Sequence, residues 1–310
     1  MGEIIKIADM HCDTIVKCKR KGFDLFENSM QVDLKRMKEV VSVQDFAIWL
    51  EKEYYPVAYK ETCECIDFYY SQLEKNKDFI CHVNTYDEIL NARESGEIAS
   101  ILSIEGGEAI EGSIEKLKYF YDKGVRLMTL TWNYKNEIGG GAGFQDLGLT
   151  EFGKEVLKTM ESLGMIVDVS HLSDKGFYDV LSIASKPFIA SHSNSRAICD
   201  CKRNLTDDQI REINNIGGVI GINLYRDFVS LNKECGIDDV MKHIDHIINV
   251  GSDEVLGFGC DYDGIDDTPD GLFDVSSVYK IVDEIEKRYG RETAEKIAWR
   301  NFDRIYSDIL

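Results

Sequence analysis

Short apolar runs alternate along this chain with longer segments in which apolar residues recur at helical spacing. The runs are rich in β-branched and aromatic residues, which favours buried strands. Eight strands are predicted in this way, at 4–11, 41–50, 98–106, 125–132, 165–171, 187–193, 218–225 and 255–263. The segments between them predict helices, because apolar positions three and four residues apart share one helix face.

Four of the predicted helices have recognisable ends. They span 113–124, 150–164, 206–218 and 236–251. Thr150 and Thr206 stand where a side-chain oxygen can accept from a backbone N–H of the first turn. Gly124 and Gly164 stand where glycine commonly ends a helix. Helices that alternate with strands in this manner indicate βαβ units and a parallel sheet.

Eight strand–helix units in 310 residues predict an α/β fold, a (β/α)8 TIM-like barrel that forms one catalytic domain over residues 1–310. No Pro-rich linker or low-complexity segment marks a domain boundary. An open doubly wound sheet is the alternative. Its dinucleotide-binding form is disfavoured, because GxGxxG does not follow the first predicted strand.

The charge of the chain and its lack of recognisable targeting signals indicate which partners and which compartment to expect. The chain carries 56 acidic and 36 basic residues, a net charge of −20, so we expect no nucleic-acid partner. The start of the chain, MGEIIKIADMHCD, is too short and polar for a signal peptide and lacks a myristoylation serine or threonine. No apolar run approaches a membrane span. We therefore expect a cytoplasmic protein without a membrane partner, whose nine scattered cysteines are reduced thiols.

The ends of the predicted strands carry metal-binding side chains. In "IADMHCDTIV" (7–16), His11 and Asp13 are two residues apart and project from one face of a strand. In a barrel, functional residues gather at the C-terminal ends of the strands. The same position in other runs is occupied by imidazole or carboxylate groups, namely Glu105, His171, His192 and Asp261.

Six such side chains exceed the four ligands of a tetrahedral zinc ion. They predict a binuclear metal site at the C-terminal ends of the strands, with one bridging carboxylate, which is a site suited to hydrolysis. We expect two Zn²⁺ ions, although cobalt and manganese can use the same ligands. The other three histidines, His82, His243 and His246, are expected to be structural.

Each candidate ligand also has a structural interpretation. Glu105 could cap a helix, Asp261 could shape a turn together with Asp263, and either strand-end histidine could be a hydrogen-bonded core residue. If these structural roles were the whole explanation, imidazole and carboxylate groups would occupy equivalent strand-end positions by coincidence alone. The metal site is therefore the better interpretation.

The chain resembles the membrane (renal) dipeptidase family of zinc peptidases, within the metal-dependent amidohydrolase barrels. The resemblance covers about residues 5–306. The matching stretches keep the family's order: "DMHCDT" (9–14), "SIEGGEAIEGS" (103–113), "GVRLMTLTWNYKNEIGGG" (124–141), "GLTEFGKEVLKTMESLGMIVDVSHLSD" (148–174), "PFIASHSNSRAI" (187–198), "KRNLTDDQI" (202–210), "HIDHI" (243–247) and "GFGCDYDG" (257–264).

This resemblance implies roles for the metal ligands. His11 and Asp13 would bind one zinc ion, and His171 and His192 the other. Glu105 would bridge the two ions, and its carboxylate is therefore counted among the catalytic groups.

The resemblance also implies residues that act on the substrate. Asp261 would approach the first metal and take the proton of the attacking water, and Arg203 would bind the C-terminal carboxylate of the substrate. Mammalian members have a histidine where this chain has Trp132, whose indole offers only an N–H donor. Trp132, Asn133 and Tyr225 are the other predicted substrate contacts.

The implied activity is zinc-dependent hydrolysis of small dipeptides, with L,D-dipeptides left open, by a homodimer. One alternative is another amidohydrolase, acting on acyl-amino acids or lactones with the same metals. A neutral lactone would give Arg203 no carboxylate to bind. The other alternative is a non-catalytic metal-binding barrel. The replacement of the family histidine by Trp132 is compatible with that alternative.

Overall fold

The computed structural model describes residues 4–310. Residues 1–3 of the predicted 1–310 domain lie outside the described part of the chain. They include Met1 and Gly2, at which the myristoylation signal was considered. The strands are β1 Ile7–Cys12, β2 Val41–Trp49, β3 Ile80–His82, β4 Ile98–Glu105, β5 Val125–Thr129, β6 Ile166–Asp168, β7 Ile189–Ala190, β8 Val219–Ile222 and β9 Leu256–Phe258.

Eight of these strands close into a parallel barrel. β1 pairs with both β2 and β9, and β2 pairs with β4. From β4 the ring continues through β5, β6, β7 and β8 to β9. The predicted (β/α)8 barrel is therefore confirmed, and its strands are the eight that the hydrophobic pattern predicted.

β3 was not predicted. It pairs with residues 98–100 at the start of β4, whereas β5 pairs with residues 102–105 of the same strand. A strand of three residues is too short to produce a recognisable period. His82, expected to precede a helix, ends β3, and its Nδ1 lies 2.9 Å from the Tyr69 hydroxyl.

Helices surround the barrel. The α-helices of the described residues are α1 Thr14–Lys21, α2 Leu34–Met37, α3 Ala58–Lys75, α4 Tyr86–Ser95, α5 Ile114–Asp122, α6 Glu151–Leu163, α7 Asp174–Ile183, α8 Asp207–Asn215, α9 Arg226–Val229, α10 Ile237–Val250, α11 Tyr279–Tyr289, α12 Arg291–Glu295 and α13 Asn301–Ile309. A π-helical segment, Lys296–Arg300, joins α12 to α13. Short 3₁₀ turns occur at Lys52–Val57, Gly107–Ile110, Asp253–Val255 and Val275–Ser277.

The predicted helix ends follow from capping. The Thr150 hydroxyl accepts from the backbone N–H of Gly153 at 3.0 Å, and Thr206 caps α8 in the same way. Gly164 ends α6 in the left-handed region, with φ of 78°. α8 ends at Asn215, three residues before the predicted boundary at 218.

α13 closes the N-terminal end of the barrel. An apolar cluster there combines Ala8, Val43 and Ala99, from the first halves of three strands, with Phe302 and Tyr306 of α13. The two aromatic rings stack with centroids 3.9 Å apart. The closed end leaves the C-terminal ends of the strands as the side on which a ligand can enter.

The structural expectation for His243 and His246 agrees with their contacts. His243 is buried; its Nδ1 accepts from the Ser195 backbone N–H at 3.1 Å, and its Nε2 donates to the Val229 carbonyl at 2.8 Å. His246 Nε2 lies 2.8 Å from an Asp207 carboxylate oxygen. Burial lowers the pKa of His243 to about 4. α10 is thereby tied to the segments after β7 and β8.

We predict that His243 makes the protein less stable in mild acid. Below about pH 6.5 the unfolded state protonates this imidazole while the folded state does not, so stability is lost as the pH falls towards 4. Between pH 7.5 and 5 the free energy of unfolding of His243→Gln should fall by roughly 2 kcal/mol less than that of the wild type. Urea titrations at both pH values measure this, and parallel losses would contradict it.

Candidate metal centre

His11 lies at the centre of a carboxylate cluster at the C-terminal end of β1. Its Nε2 is 3.6 Å from Asp13 Oδ2, 3.5 Å from Glu105 Oε2 and 3.9 Å from Asp261 Oδ1. All four side chains are buried, although they come from strand ends of β1, β4 and β9 that are far apart in the sequence. Barrel closure therefore assembles the first predicted ligand group.

Glu105 connects this group with the two remaining histidines. Its Oε1 lies 2.8 Å from His171 Nε2 and 3.5 Å from His192 Nε2, and these two nitrogens are 2.8 Å apart. The other oxygen of Glu105 faces His11. All six predicted ligands are thus brought together, with the Glu105 carboxylate between two groups of donors.

Two of the six candidate ligands have unusual backbone conformations. His171 and Asp261 have φ of 64° and 61°, in the left-handed region that is costly for residues other than glycine. Asp263, with φ of 66°, holds the turn after β9, because its carboxylate accepts from the Thr14 hydroxyl at 2.6 Å and from the Gln31 N–H at 2.8 Å. Asp263 therefore shapes the turn, which leaves the Asp261 carboxylate available to the cluster.

The electrostatics of the cluster fit bound cations. Burial raises the pKa of Glu105 to about 7 and that of Asp261 to about 6. Burial lowers the pKa values of His171 and His192 well below the usual range. Burial also opposes protonation of His11, but Glu105 and Asp13 outweigh it and raise the His11 pKa well above normal.

Several nitrogen and oxygen atoms of the candidate ligands lack a hydrogen-bond partner among residues 4–310. Both ring nitrogens of His11 and Oδ1 of Asp13 are buried without a hydrogen-bond partner. Unpartnered buried polar atoms are costly, and divalent cations would satisfy them. Imidazole nitrogen and carboxylate oxygen are ligands of zinc and of harder divalent metals, so the residues present fit the predicted metals.

Side chains outside the cluster orient its histidines. The Asn133 amide oxygen lies 2.9 Å from His171 Nδ1. Ser191 Oγ donates to Asp168 at 2.7 Å and lies 2.8 Å from His192 Nδ1. Because the single hydroxyl proton goes to Asp168, His192 Nδ1 must be the donor to Ser191. Both histidines can therefore direct an unprotonated Nε2 at a metal.

A cavity of about 310 Å³ opens above the cluster. It is lined by Asp13, Lys17, Trp49, Glu105, Trp132, Asn133, His171, Tyr225, Phe228, Asp261, Gly264, Ile265 and Asp266. Trp132 packs against Trp49 and Tyr134, with ring centroids 5.2 and 5.4 Å apart, and forms an aromatic wall. Three predicted substrate contacts, Trp132, Asn133 and Tyr225, thus line the cavity, and Asn133 has the additional contact with His171.

Arg203 does not line this cavity. It is 7% exposed, and its Nη2 donates to the His192 carbonyl at 3.2 Å. Its guanidinium carbon lies 5.4 Å from the centroid of the Phe228 ring, which does line the cavity. Its Nε has no partner in the described chain. The predicted contact of Arg203 with a substrate carboxylate stays a prediction.

Several residues of the site were missed by sequence reasoning. Trp49 is the penultimate residue of the second predicted strand and Asn223 lies near the end of the seventh, so the strand-end rule could have found both. Asn223 donates to Asp261 Oδ2 at 2.8 Å. Asp168 and Ser191 carry no comparable signal, because their importance depends on a hydrogen bond between β6 and the end of the neighbouring strand β7. Lys17 carries none because it lies in a helix, α1.

The barrel and its buried histidine–carboxylate cluster define a metal-dependent hydrolase. The chain also matches the model of the membrane dipeptidase family, peptidase family M19, over residues 2–309. It therefore belongs to that family, and the predicted class of metal-dependent dipeptidase is confirmed.

Three individual relatives are similar to this chain over most of its length. An uncharacterised dipeptidase of Schizosaccharomyces pombe is 34% identical over 312 residues, which cover 91% of this chain and 75% of the relative. A solved dipeptidase of family M19 is 25% identical with a TM-score of 0.93, and 99% of each chain is covered. A Rhodobacter sphaeroides metallopeptidase, liganded with a phosphinate mimic of L-Ala-D-Ala, shares the fold at 24% identity and a TM-score of 0.93 over 99% of this chain and 100% of that chain.

Two other expectations concern the chain as a whole. All nine cysteines are free thiols in the structure. No helix between residues 4 and 310 combines the length and the apolar character needed to cross a membrane.

We predict that Ser191→Ala weakens metal binding although Ser191 touches no metal. The substitution removes the acceptor of His192 Nδ1–H, so the ring loses its fixed tautomer, and zinc affinity should fall roughly 10- to 100-fold. Competition with a chromogenic chelator measures this affinity. Ser182→Ala, on the exposed side of α7, is the matched control. Equal affinities of the two variants would show that the Asp168–Ser191 pair does not support the ligand.

Proposed function

We propose that this chain hydrolyses dipeptides with two zinc ions, one held by His11 and Asp13 and the other by His171 and His192. The observation that carries the proposal is the position of Glu105, whose two oxygens face different histidines at 3.5 and 2.8 Å. A carboxylate in this position suits a bridge between two metals. Other divalent metals would fit the same donors.

The ions would supply Lewis acidity, polarising a carbonyl oxygen and lowering the pKa of a water molecule. The chain itself provides the enclosure for this chemistry. Trp49 and Trp132 form an aromatic wall beside the cluster, and Tyr225 and Phe228 contribute two further aromatic rings to the lining. A cavity of about 310 Å³ suits a small substrate rather than a folded protein.

Asp261 is the proposed proton acceptor and donor. Its Oδ2 accepts from Asn223 at 2.8 Å, while Oδ1 is turned towards His11 at 3.9 Å. The hydrogen bond from Asn223 holds the carboxylate in one orientation. A carboxylate fixed beside the reacting water can take its proton and deliver it to the leaving amine.

Arg203 is the proposed partner of the substrate's C-terminal carboxylate. A buried guanidinium with an unpartnered Nε can form a strong charge-assisted hydrogen bond once a carboxylate arrives. A neutral lactone would leave this cation uncompensated. The cation beside the cavity therefore favours a dipeptide over the lactone alternative.

Three broader expectations accompany this proposal. We propose that residues 1–310 form a single catalytic domain and that the protein acts in the cytoplasm. A homodimer, which the family resemblance implies, also stays a prediction.

We predict metal-dependent release of free amino acids from L,L- and L,D-dipeptides. N-acetylated dipeptides and tripeptides should resist cleavage, because a small cavity and a carboxylate partner select for two residues with free ends. Amino-acid analysis of zinc-loaded, chelator-stripped and reloaded protein measures this. Failure of the fully loaded protein on every dipeptide would exclude the dipeptidase and favour another amidohydrolase.

We predict that Asp261→Asn keeps the metals but loses turnover. Asparagine preserves the size of the side chain but cannot take up a proton, so kcat should fall about 10²- to 10⁴-fold. Metal content by elemental analysis and steady-state kinetics separate the two effects. Asp267→Asn, an exposed carboxylate in the same loop, is the control. Near-normal turnover in Asp261→Asn would remove Asp261 from the proposed proton transfer.

A further inference from the structure

A side pocket of about 160 Å³ adjoins the main cavity. The two spaces share the wall residues Asp13, Lys17, Trp49 and Gly264. The remaining wall of the side pocket consists of Val16, Arg20, Lys21, Glu51 and Asp263. A substrate in the main cavity could therefore extend one side chain into this second space.

Most charges around the side pocket already have partners. Glu51 pairs with Arg20 at 2.6 Å, Asp263 accepts from Thr14 and Gln31, and Asp13 faces His11. Lys17 is half-buried at the junction of the two spaces, and its side-chain ammonium forms no hydrogen bond or ion pair with any residue in the range 4–310. Lys21 is also unpaired within this range, but it is exposed and does not line the main cavity. Lys17 is the one cation among the four residues that line both spaces.

The barrel order places Lys17 across the mouth from Arg203. Lys17 belongs to α1, directly after β1, whereas Arg203 lies in the segment after β7. In the eight-stranded ring β7 lies three strand positions from β1, one position short of diametrically opposite. A dipeptide with its C-terminal carboxylate on the Arg203 side and its peptide bond over the histidine–carboxylate cluster can direct its amino-terminal residue towards Lys17 and Trp49.

We propose that Lys17 selects dipeptides with an acidic amino-terminal residue, glutamate or aspartate; this inference rests on the proposed dipeptidase function. The acidic side chain enters the side pocket, with its methylene groups against Trp49, and its carboxylate accepts a charge-assisted hydrogen bond from Lys17 Nζ. Asp266, which also lines the main cavity, supplies the opposite charge for the substrate's ammonium group.

The isosteric pair L-Glu-L-Ala and L-Gln-L-Ala tests this role. We expect zinc-loaded wild type to have a kcat/KM for the glutamyl dipeptide that is roughly tenfold or more higher, as one charge-assisted hydrogen bond would produce. The preference should reside mainly in KM. In Lys17→Met it should shrink towards one. Lys118→Met, which removes an exposed lysine from α5, should keep the wild-type preference.

Charge reversal gives a second, independent readout. Lys17→Glu should lose the glutamyl substrate and gain relative activity on L-Lys-L-Ala, and thermal melts with metal analysis establish that each variant is folded and loaded. Two results would overturn the role of Lys17: a wild-type kcat/KM for L-Glu-L-Ala close to that for L-Gln-L-Ala, or a preference that is unchanged in Lys17→Met. Neither result would contradict the proposed dipeptidase function. Absence of turnover on all three dipeptides, and on the wider panel, overturns both.

Discussion

The structure depends on a buried carboxylate, Glu105, which lies between His11 and the pair His171 and His192 at the open end of the barrel. Removing a charged carboxylate from water costs several kcal/mol unless cations or hydrogen bonds compensate it. Here His11 supplies the compensating charge on one side, and the unprotonated Nε2 atoms of His171 and His192 on the other side suit a cation shared with Glu105. The strands must therefore close in register, since only closure brings these side chains within reach of Glu105.

The surroundings of this cluster serve to fix it. Ser191 and Asn133 set the protonated nitrogen of His192 and His171, and Asn223 holds Asp261 from the opposite side. Two candidate ligands, His171 and Asp261, adopt left-handed backbone conformations that neighbouring hydrogen bonds must stabilise. Such strain is common at functional sites, where geometry takes precedence over local backbone preference.

The cavity above the cluster is asymmetric. Lys17 and Trp49 line it where the side pocket begins, whereas the buried Arg203 lies behind the ring of Phe228. In the proposed binding mode, Lys17 and Arg203 bind the two carboxylates of the substrate, one on a side chain and one at its C-terminus. The peptide bond then lies between the two cations, which gives the dipeptide one direction.

The sequence by itself determined the eight barrel strands and the six candidate ligands, because both follow from local pattern: apolar periodicity along each strand and a polar residue at its end. It did not reveal β3, whose three residues have no readable period. Only the tertiary structure decided that Asn133 contacts His171, that Arg203 is buried behind Phe228, and that Lys17 lines the cavity above the candidate ligands. These relations join residues distant in the chain, and their distances exist only once the barrel has closed.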